Sequence, residues 1–178
     1  GGSCFPKDVK ALTKIAKESG YTAQLISAVE EVNDAQKLVI AQKIVARFGE
    51  DLTGFSFGIW GLAFKPGTDD MREAPAIYVI NELVKRGAKI KAYDPKAIDE
   101  AKAHYLKGVQ NIRYVDSKYD VLKDSDALVL LTEWKEFRSP DFEEIKVQLK
   151  TPVIFDGRNQ YIAYDLENKG LEYYRIGK

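Results

Sequence analysis

Cysteine is almost absent from this chain: Cys4 is the only one in 178 residues. One thiol excludes an internal disulfide and a cysteine-based zinc site, and it suits a reducing, cytoplasmic compartment. Histidine is equally scarce, with His104 alone, which excludes a multi-histidine metal site; no metal is expected. Charge of one sign is missing too. Lys+Arg and Asp+Glu are both 27, so the formal net charge is zero. A nucleic-acid binder carries a basic excess, so no nucleic-acid partner is expected. No apolar run approaches the roughly 20 residues that cross a bilayer, so no membrane partner is expected either. The N-terminus lacks a basic and then apolar leader and an initiator methionine. It therefore reads as the start of a downstream fragment of a longer protein, or as a Gly-Gly-Ser cloning scar.

What remains is ordinary for a soluble globular protein: 45% hydrophobic and 30% charged residues. Proline is absent from Val9 to Phe48, and the apolar residues there recur at helical spacing (Leu12, Ile15, Ala16, then Leu25, Ile26, Val29, Val32, then Leu38, Val39, Ile44, Val45). A break is expected at Gly20, with Thr22 capping the second helix. That helix has little of its own to bury against, so it is expected to pack on a partner or on a domain outside this chain.

From Phe55 onward, strands and helices alternate. Strands are expected at Phe55–Ala63, Lys89–Tyr93, Ile112–Val115, Ala127–Leu131 and Val153–Phe155, with an edge strand at Leu171–Tyr174. Helices are expected at Ala74–Arg86, Ile98–Tyr105, Ser117–Lys123 and Asp141–Leu149. The fold class is α/β: a Rossmann-like parallel sheet with helices on both faces, preceded by a helical segment. The division falls near residue 50, giving a helical part (1–50) and an α/β part (51–178).

Ligands of open parallel sheets bind beyond the carboxyl ends of the strands. Three polar groups fall there: Gly61–Pro75 with Lys65 and Arg72, Thr132-Glu133-Trp134, and Asp156-Gly157-Arg158-Asn159. Lys65 and Arg72 suit phosphate oxygens near a helix start, and Arg158 suits bidentate anion recognition. Each also has a plain reading: solvated loop charges, a turn, a helix start. Trp60 and Trp134 read as packing residues. Asp94 is placed to meet a ribose hydroxyl, though Asp-Pro after a strand is commonly a turn. Gly58-x-x-Gly61 is not the dinucleotide fingerprint, whose Gly-x-Gly-x-x-Gly spacing is absent. Cys4, followed by Lys7 and Asp8, is either a small hydrophobe or a nucleophile activated by a nearby cation and carboxylate.

Taken together, Gly1-Gly2-Ser3-Cys4-Phe5-Pro6-Lys7-Asp8, the stretch Gly61–Pro75, Tyr93-Asp94-Pro95, Thr132-Glu133-Trp134 and Asp156-Gly157-Arg158-Asn159 resemble the UDP-glucose 6-dehydrogenase family, over essentially the whole chain. The wider group includes GDP-mannose and UDP-N-acetylmannosamine dehydrogenases. The resemblance implies oxidation of a UDP-glucose C6 alcohol to a carboxylate by two NAD. It makes Cys4 the nucleophile, passing through a thiohemiacetal and a thioester, with Asp8 assisting water or proton handling. It makes Gly1, Phe64, Lys65 and Arg158 substrate-binding residues, and Arg72 and Lys7 cofactor contacts. It also implies a homodimeric parent, longer than this chain, whose NAD-binding domain lies upstream; the fragment alone is then inactive. The alternatives are another nucleotide-sugar dehydrogenase, or a non-catalytic module that binds nucleotide and assembles through its long helix.

Overall fold

The structure, a computed structural model, describes the backbone of residues 4–177 and the side chains of residues 6–177. Two helices come first, α1 (Cys4–Glu18) and α2 (Gln24–Phe48). The break between them falls at Gly20, whose φ of 75° suits glycine's freedom from a Cβ. The cap is not Thr22. Ala23 occupies the N-cap position and no side chain caps α2; the Gln24 amide donates to the Thr22 carbonyl instead.

The rest is one six-stranded, all-parallel sheet in the order β3-β2-β1-β4-β5-β6. Its strands are β1 (Ser56–Trp60), β2 (Lys89–Tyr93), β3 (Ile112–Tyr114), β4 (Ala127–Leu130), β5 (Val153–Asp156) and β6 (Glu172–Arg175). Strands β1, β4 and β5 are buried throughout, so apart from Ser56 and Asp156 at their ends they carry no polar residues and do not alternate. α3 (Pro75–Lys85) follows β1. α4 (Ile98–Glu100) continues as a π-helical turn through Tyr105, and α5 (Phe142–Gln148) follows β4. Asp141 caps α5, accepting the amides of Glu143 and Glu144 at 3.0 Å each.

Alternation along the strands assigns the two faces. Phe57 and Phe155 point to the α2 side, where Phe48 packs edge-on to Phe57 with centroids 5.4 Å apart. Trp60 points the other way and stacks on Phe137 at 5.0 Å, inside the 3-10 turn Lys135–Phe137. The turn Lys118–Val121 also covers this second face. It comes so close to β1 that a Cβ on Gly58 would lie 2.6 Å from the Val121 carbonyl oxygen.

The second helix finds part of its burial within this chain, against expectation. The C-terminal half of α2 buries Ile40, Ala41 and Ile44 in the same core as the sheet and α3. The N-terminal half leaves Leu25 80% and Val32 68% exposed, and Leu12 and Ile15 of α1 are exposed as well.

Candidate functional site

The strand order reverses between β1 and β4, which opens a crevice at their carboxyl ends. β1 stops at Trp60 because Gly61 turns the chain with φ 94°. A Cβ on Gly61 would collide with the Thr132 Cβ, so only glycine lets the β1 and β4 loops touch there. Thr132 is fully buried, and its hydroxyl donates to the Ala63 carbonyl at 2.5 Å.

Arg158 holds the crevice from the β5 side. Its Nε donates to the Leu131 carbonyl at 2.7 Å and its Nη2 to the Phe64 carbonyl at 3.0 Å. The guanidinium thereby ties the β4 loop to the β1 loop. Glu133 Oε2 lies 3.0 Å from Arg158 Nε yet accepts no hydrogen bond, because that N–H is directed at Leu131. Below Arg158, the buried Asp156 carboxylate accepts the amides of Arg158 and Tyr161 and the Tyr173 hydroxyl, at 2.9, 2.9 and 2.8 Å. Burial, with this carboxylate beside it, pushes the Tyr173 phenol above its ordinary range. The Asp-Gly turn is therefore a clamp that fixes where Arg158 leaves the sheet.

A cavity of about 460 Å³ adjoins this crevice, within the range of small-molecule sites. Phe64, Arg158 and Asn159 line it from the sheet, Gln36 and Lys37 from α2, and Pro6 from α1. Pro6 is buried, so the first turn of α1 abuts the site. Cys4 is the first residue of that helix, and its side chain, like all of Gly1, lies outside the described residues. Residues 4–8 are helical, so Asp8 follows Cys4 by one turn on the same face. Lys7 and Asp8 are both exposed.

The remaining expected residues divide. Phe64 is half-buried at the cavity. Lys65 is exposed beside it and is not one of the lining residues. Arg72 is exposed and turned onto Asp70, with Nε 3.0 Å from Oδ1 and Nη2 2.8 Å from Oδ2. That contact holds the Asp70 carboxyl below its ordinary range. Asp94 is not a ribose ligand in this arrangement. It is 2% exposed, and its oxygens accept the amides of Leu62, Ala63, Lys96 and Ala97 and the indole of Trp134. Trp60 and Trp134 are packing residues, as expected.

Sequence reading missed the contribution of α2. Lys37 is the buried cation of this region, joined to Glu73 at 2.5 Å, Asp34 at 2.8 Å and Tyr78 at 3.3 Å. Burial works to lower its pKa, but these hydrogen bonds outweigh it and hold the ammonium above its ordinary range. The available signal was its phase: Lys37 shares the helical stripe of Ile40, Ala41 and Ile44.

Comparison with known proteins matches residues 58–163 to the UDP-binding domain of the UDP-glucose/GDP-mannose dehydrogenase family, and residues 1–35 to that family's central domain. A UDP-glucose 6-dehydrogenase of Pseudomonas aeruginosa is 43% identical over 180 residues, covering 100% of this chain and 40% of that protein. The Bacillus subtilis UDP-glucose 6-dehydrogenase TuaD is 43% identical over 178 residues, again with all of this chain and 38% of the relative. Among solved structures, a UDP-glucose dehydrogenase from Pyrobaculum islandicum superposes with a TM-score of 0.81 at 31% identity, over 98% of this chain and 37% of that one. The chain spans about 40% of the length of the curated relatives it matches.

Proposed function

The chain belongs to the UDP-glucose/GDP-mannose dehydrogenase family, and we propose that it is the nucleotide-sugar-binding part of an enzyme that oxidises UDP-glucose to UDP-glucuronate. The observation that carries this reading is the cavity of about 460 Å³ at the strand-order reversal, bounded by Arg158 and Phe64 and met by the first turn of α1. Residues 1–50 form the end of a central helical region and residues 51–178 the UDP-sugar domain. The uridine diphosphate lies along the crevice, with Lys65 and Arg158 toward its phosphates and sugar; the family resemblance adds Gly1 as a substrate residue, which lies outside the described residues.

The chemistry of the parent enzyme would call on NAD as the hydride acceptor for the sugar C6. The residues of this chain do not fit the cofactor's pyrophosphate. The β1–α3 connection runs through 14 residues, 61 to 74, and is not a tight glycine turn. α3 also opens on Pro75, which has no N–H to offer at that helix start. The main NAD site therefore belongs to a part of the enzyme other than this sheet, and Arg72 and Lys7 are proposed as contacts to it. On this reading the chain by itself does not turn over.

The work of these residues is nucleophilic and electrostatic. The Cys4 thiolate adds to the C6 aldehyde carbon to give a thiohemiacetal. Once that carbon is oxidised to the thioester, water attacks it, the C–S bond breaks, and a carboxylate and the free thiol result. In this reading Asp8, one helical turn on, takes the proton of that water. A reducing, cytoplasmic setting keeps Cys4 a thiol.

The exposed Leu25 and Val32 on α2 support a second element of the reading: this face is covered in a homodimeric parent. The decisive experiment follows NADH production by the full-length protein offered UDP-glucose, GDP-mannose and UDP-N-acetylmannosamine in turn. Turnover with UDP-glucose, abolished by Cys4→Ala, is expected. Turnover only with another sugar moves the assignment within the family, and silence with all three overturns it in favour of a nucleotide-binding assembly module.

A further inference from the structure

Glu73 stands in a conformation that L-residues avoid, with φ 57°. Glycine or asparagine would adopt it with less strain. The residue here is nevertheless a glutamate, and its carboxylate is held from three helices. Oε2 accepts Lys37 Nζ of α2 at 2.5 Å and the Tyr78 hydroxyl of α3 at 2.8 Å. Oε1 lies 3.9 Å from Lys10 Nζ of α1. Lys37 is in turn held by Asp34 at 2.8 Å and lies over the Tyr78 ring, 4.4 Å from its centroid.

The location gives this network its interest. Glu73 directly follows Arg72 and ends the loop that starts at Phe64. The Phe64 amide donates to the Asp70 carbonyl at 2.8 Å, closing that loop on itself. Lys37, Glu73 and Phe64 all line the cavity that Arg158 bounds. A buried ion pair is a poor source of stability, because apolar residues of similar volume commonly do as well. Backbone strain, by contrast, persists where the surrounding contacts fix it, and it gathers at functional sites.

We propose that Lys37 and Glu73 are a positioning pair, which ties the 64–73 loop to α2 and holds it over the nucleotide-sugar cavity, while Lys10 adds a longer contact from Glu73 to the helix bearing Cys4 and Asp8. Neither residue touches the reacting atoms in this scheme; both act through Phe64, Lys65 and Arg72. The inference deepens the proposed function and rests on it for the identity of the ligand.

The test uses the full-length protein and four variants: Glu73→Gly, Lys37→Met, Lys37→Arg and the Lys37→Met/Glu73→Gly double variant. Glu73→Gly separates the two roles, since it relieves the φ strain while removing the carboxylate. It is expected to stay folded, losing less stability than Glu73→Gln because the strain is gone, and yet raise KM for UDP-glucose about tenfold or more, the scale of a misplaced binding group. Lys37→Met is expected to raise KM similarly, the double variant to add little further, and Lys37→Arg to restore KM toward wild type. A purely structural pair would lower the melting temperature and leave KM alone. Hydrogen exchange provides a readout free of any ligand: the Phe64 amide is expected to lose protection in Glu73→Gly while the sheet amides keep theirs. If the wild type oxidises no nucleotide sugar, the functional reading fails, and the exchange result still decides the pair. Unchanged Phe64 protection, or an unchanged KM in a stable Glu73→Gly, overturns the proposal.

Discussion

Trp134 Nε1 donates to Asp94 Oδ2 at 3.0 Å, and through that bond the loop after β4 is fastened to the loop after β2. The same oxygen accepts the amides of Leu62 at 2.7 Å and Ala63 at 3.0 Å, which brings in the loop after β1. Oδ1 accepts the amides of Lys96 and Ala97 at 2.8 and 2.9 Å. One buried carboxylate thus builds the floor of the crevice from three separate strand ends. An asparagine in its place would set an NH₂ group against N–H donors and leave part of this set unpaired. Asp94→Asn is expected to cost about 3 kcal/mol, with Trp134→Phe costing about 1 kcal/mol for the single lost bond. Urea denaturation of each variant measures both. An Asp94→Asn protein as stable as wild type would mean that water serves these donors equally well.

The crevice depends on Gly61 in a different way. Its φ of 94° and its close approach to Thr132 leave no place for a methyl group. Gly61→Ala is expected to lose about 2 kcal/mol or more and to separate the β1 and β4 loops, removing UDP binding with it. Thr132→Ala in the same background removes only the hydroxyl and methyl and leaves the Cβ and amide that the new methyl group meets, so it is not expected to rescue the variant. Calorimetric titration with UDP alongside thermal melts distinguishes this from a surface glycine, whose replacement would leave both unchanged.

The strand and helix order was legible because burial leaves a simple signature. Ala127–Leu130 and Val153–Phe155 are apolar without interruption, as central parallel strands must be. The boundaries were less legible. β1 ends at Trp60, short of the expected Ala63, because the Leu62 and Ala63 amides bond to Asp94 and not to a neighbouring strand. Thr22 has the chemistry of a cap, yet the turn after Gly20 carries Ala23 into the capping position. Arg158 stood out from its motif, but its partners Leu131 and Phe64 are 27 and 94 residues away in sequence, so the clamp it forms exists only in the folded chain. Lys37 was hidden because periodicity collects apolar residues and passes over a charge on the same stripe.

Arg158 to lysine is the substitution that tests the clamp. Lysine keeps the charge but offers one centre where the guanidinium uses two separate N–H groups for Leu131 and Phe64. Arg158→Lys is expected to lose about 1–3 kcal/mol of stability from the carbonyl left unpaired, and to weaken UDP binding at least about tenfold. Isothermal titration at two ionic strengths checks the second point. If charge alone mattered, the lysine variant would bind as wild type at low salt.

The Lys37–Glu73 pair also sets an acid limit on stability. The hydrogen bond from Lys37, and then that from Tyr78, hold the Glu73 carboxyl below the ordinary glutamate value of 4.5. Below 4.5 the unfolded chain takes up this proton before the folded chain does, so folding stability falls as pH falls. The contribution is complete above 4.5 and is lost as pH drops through the depressed value. Lys37 behaves in the opposite sense: its raised pKa leaves its contribution complete below 10.5 and lost only as pH rises beyond that range. Glu73→Gln cannot titrate at this position. It is expected to be about 2 kcal/mol less stable than wild type near pH 7, with the gap closing as pH is lowered below 4.5. Other acids such as Asp70 and Glu172 titrate in both proteins and cancel in the difference. Urea midpoints for the two proteins across that range give the comparison, and a gap that stays constant with pH would show that the Glu73 carboxyl is not held by Lys37.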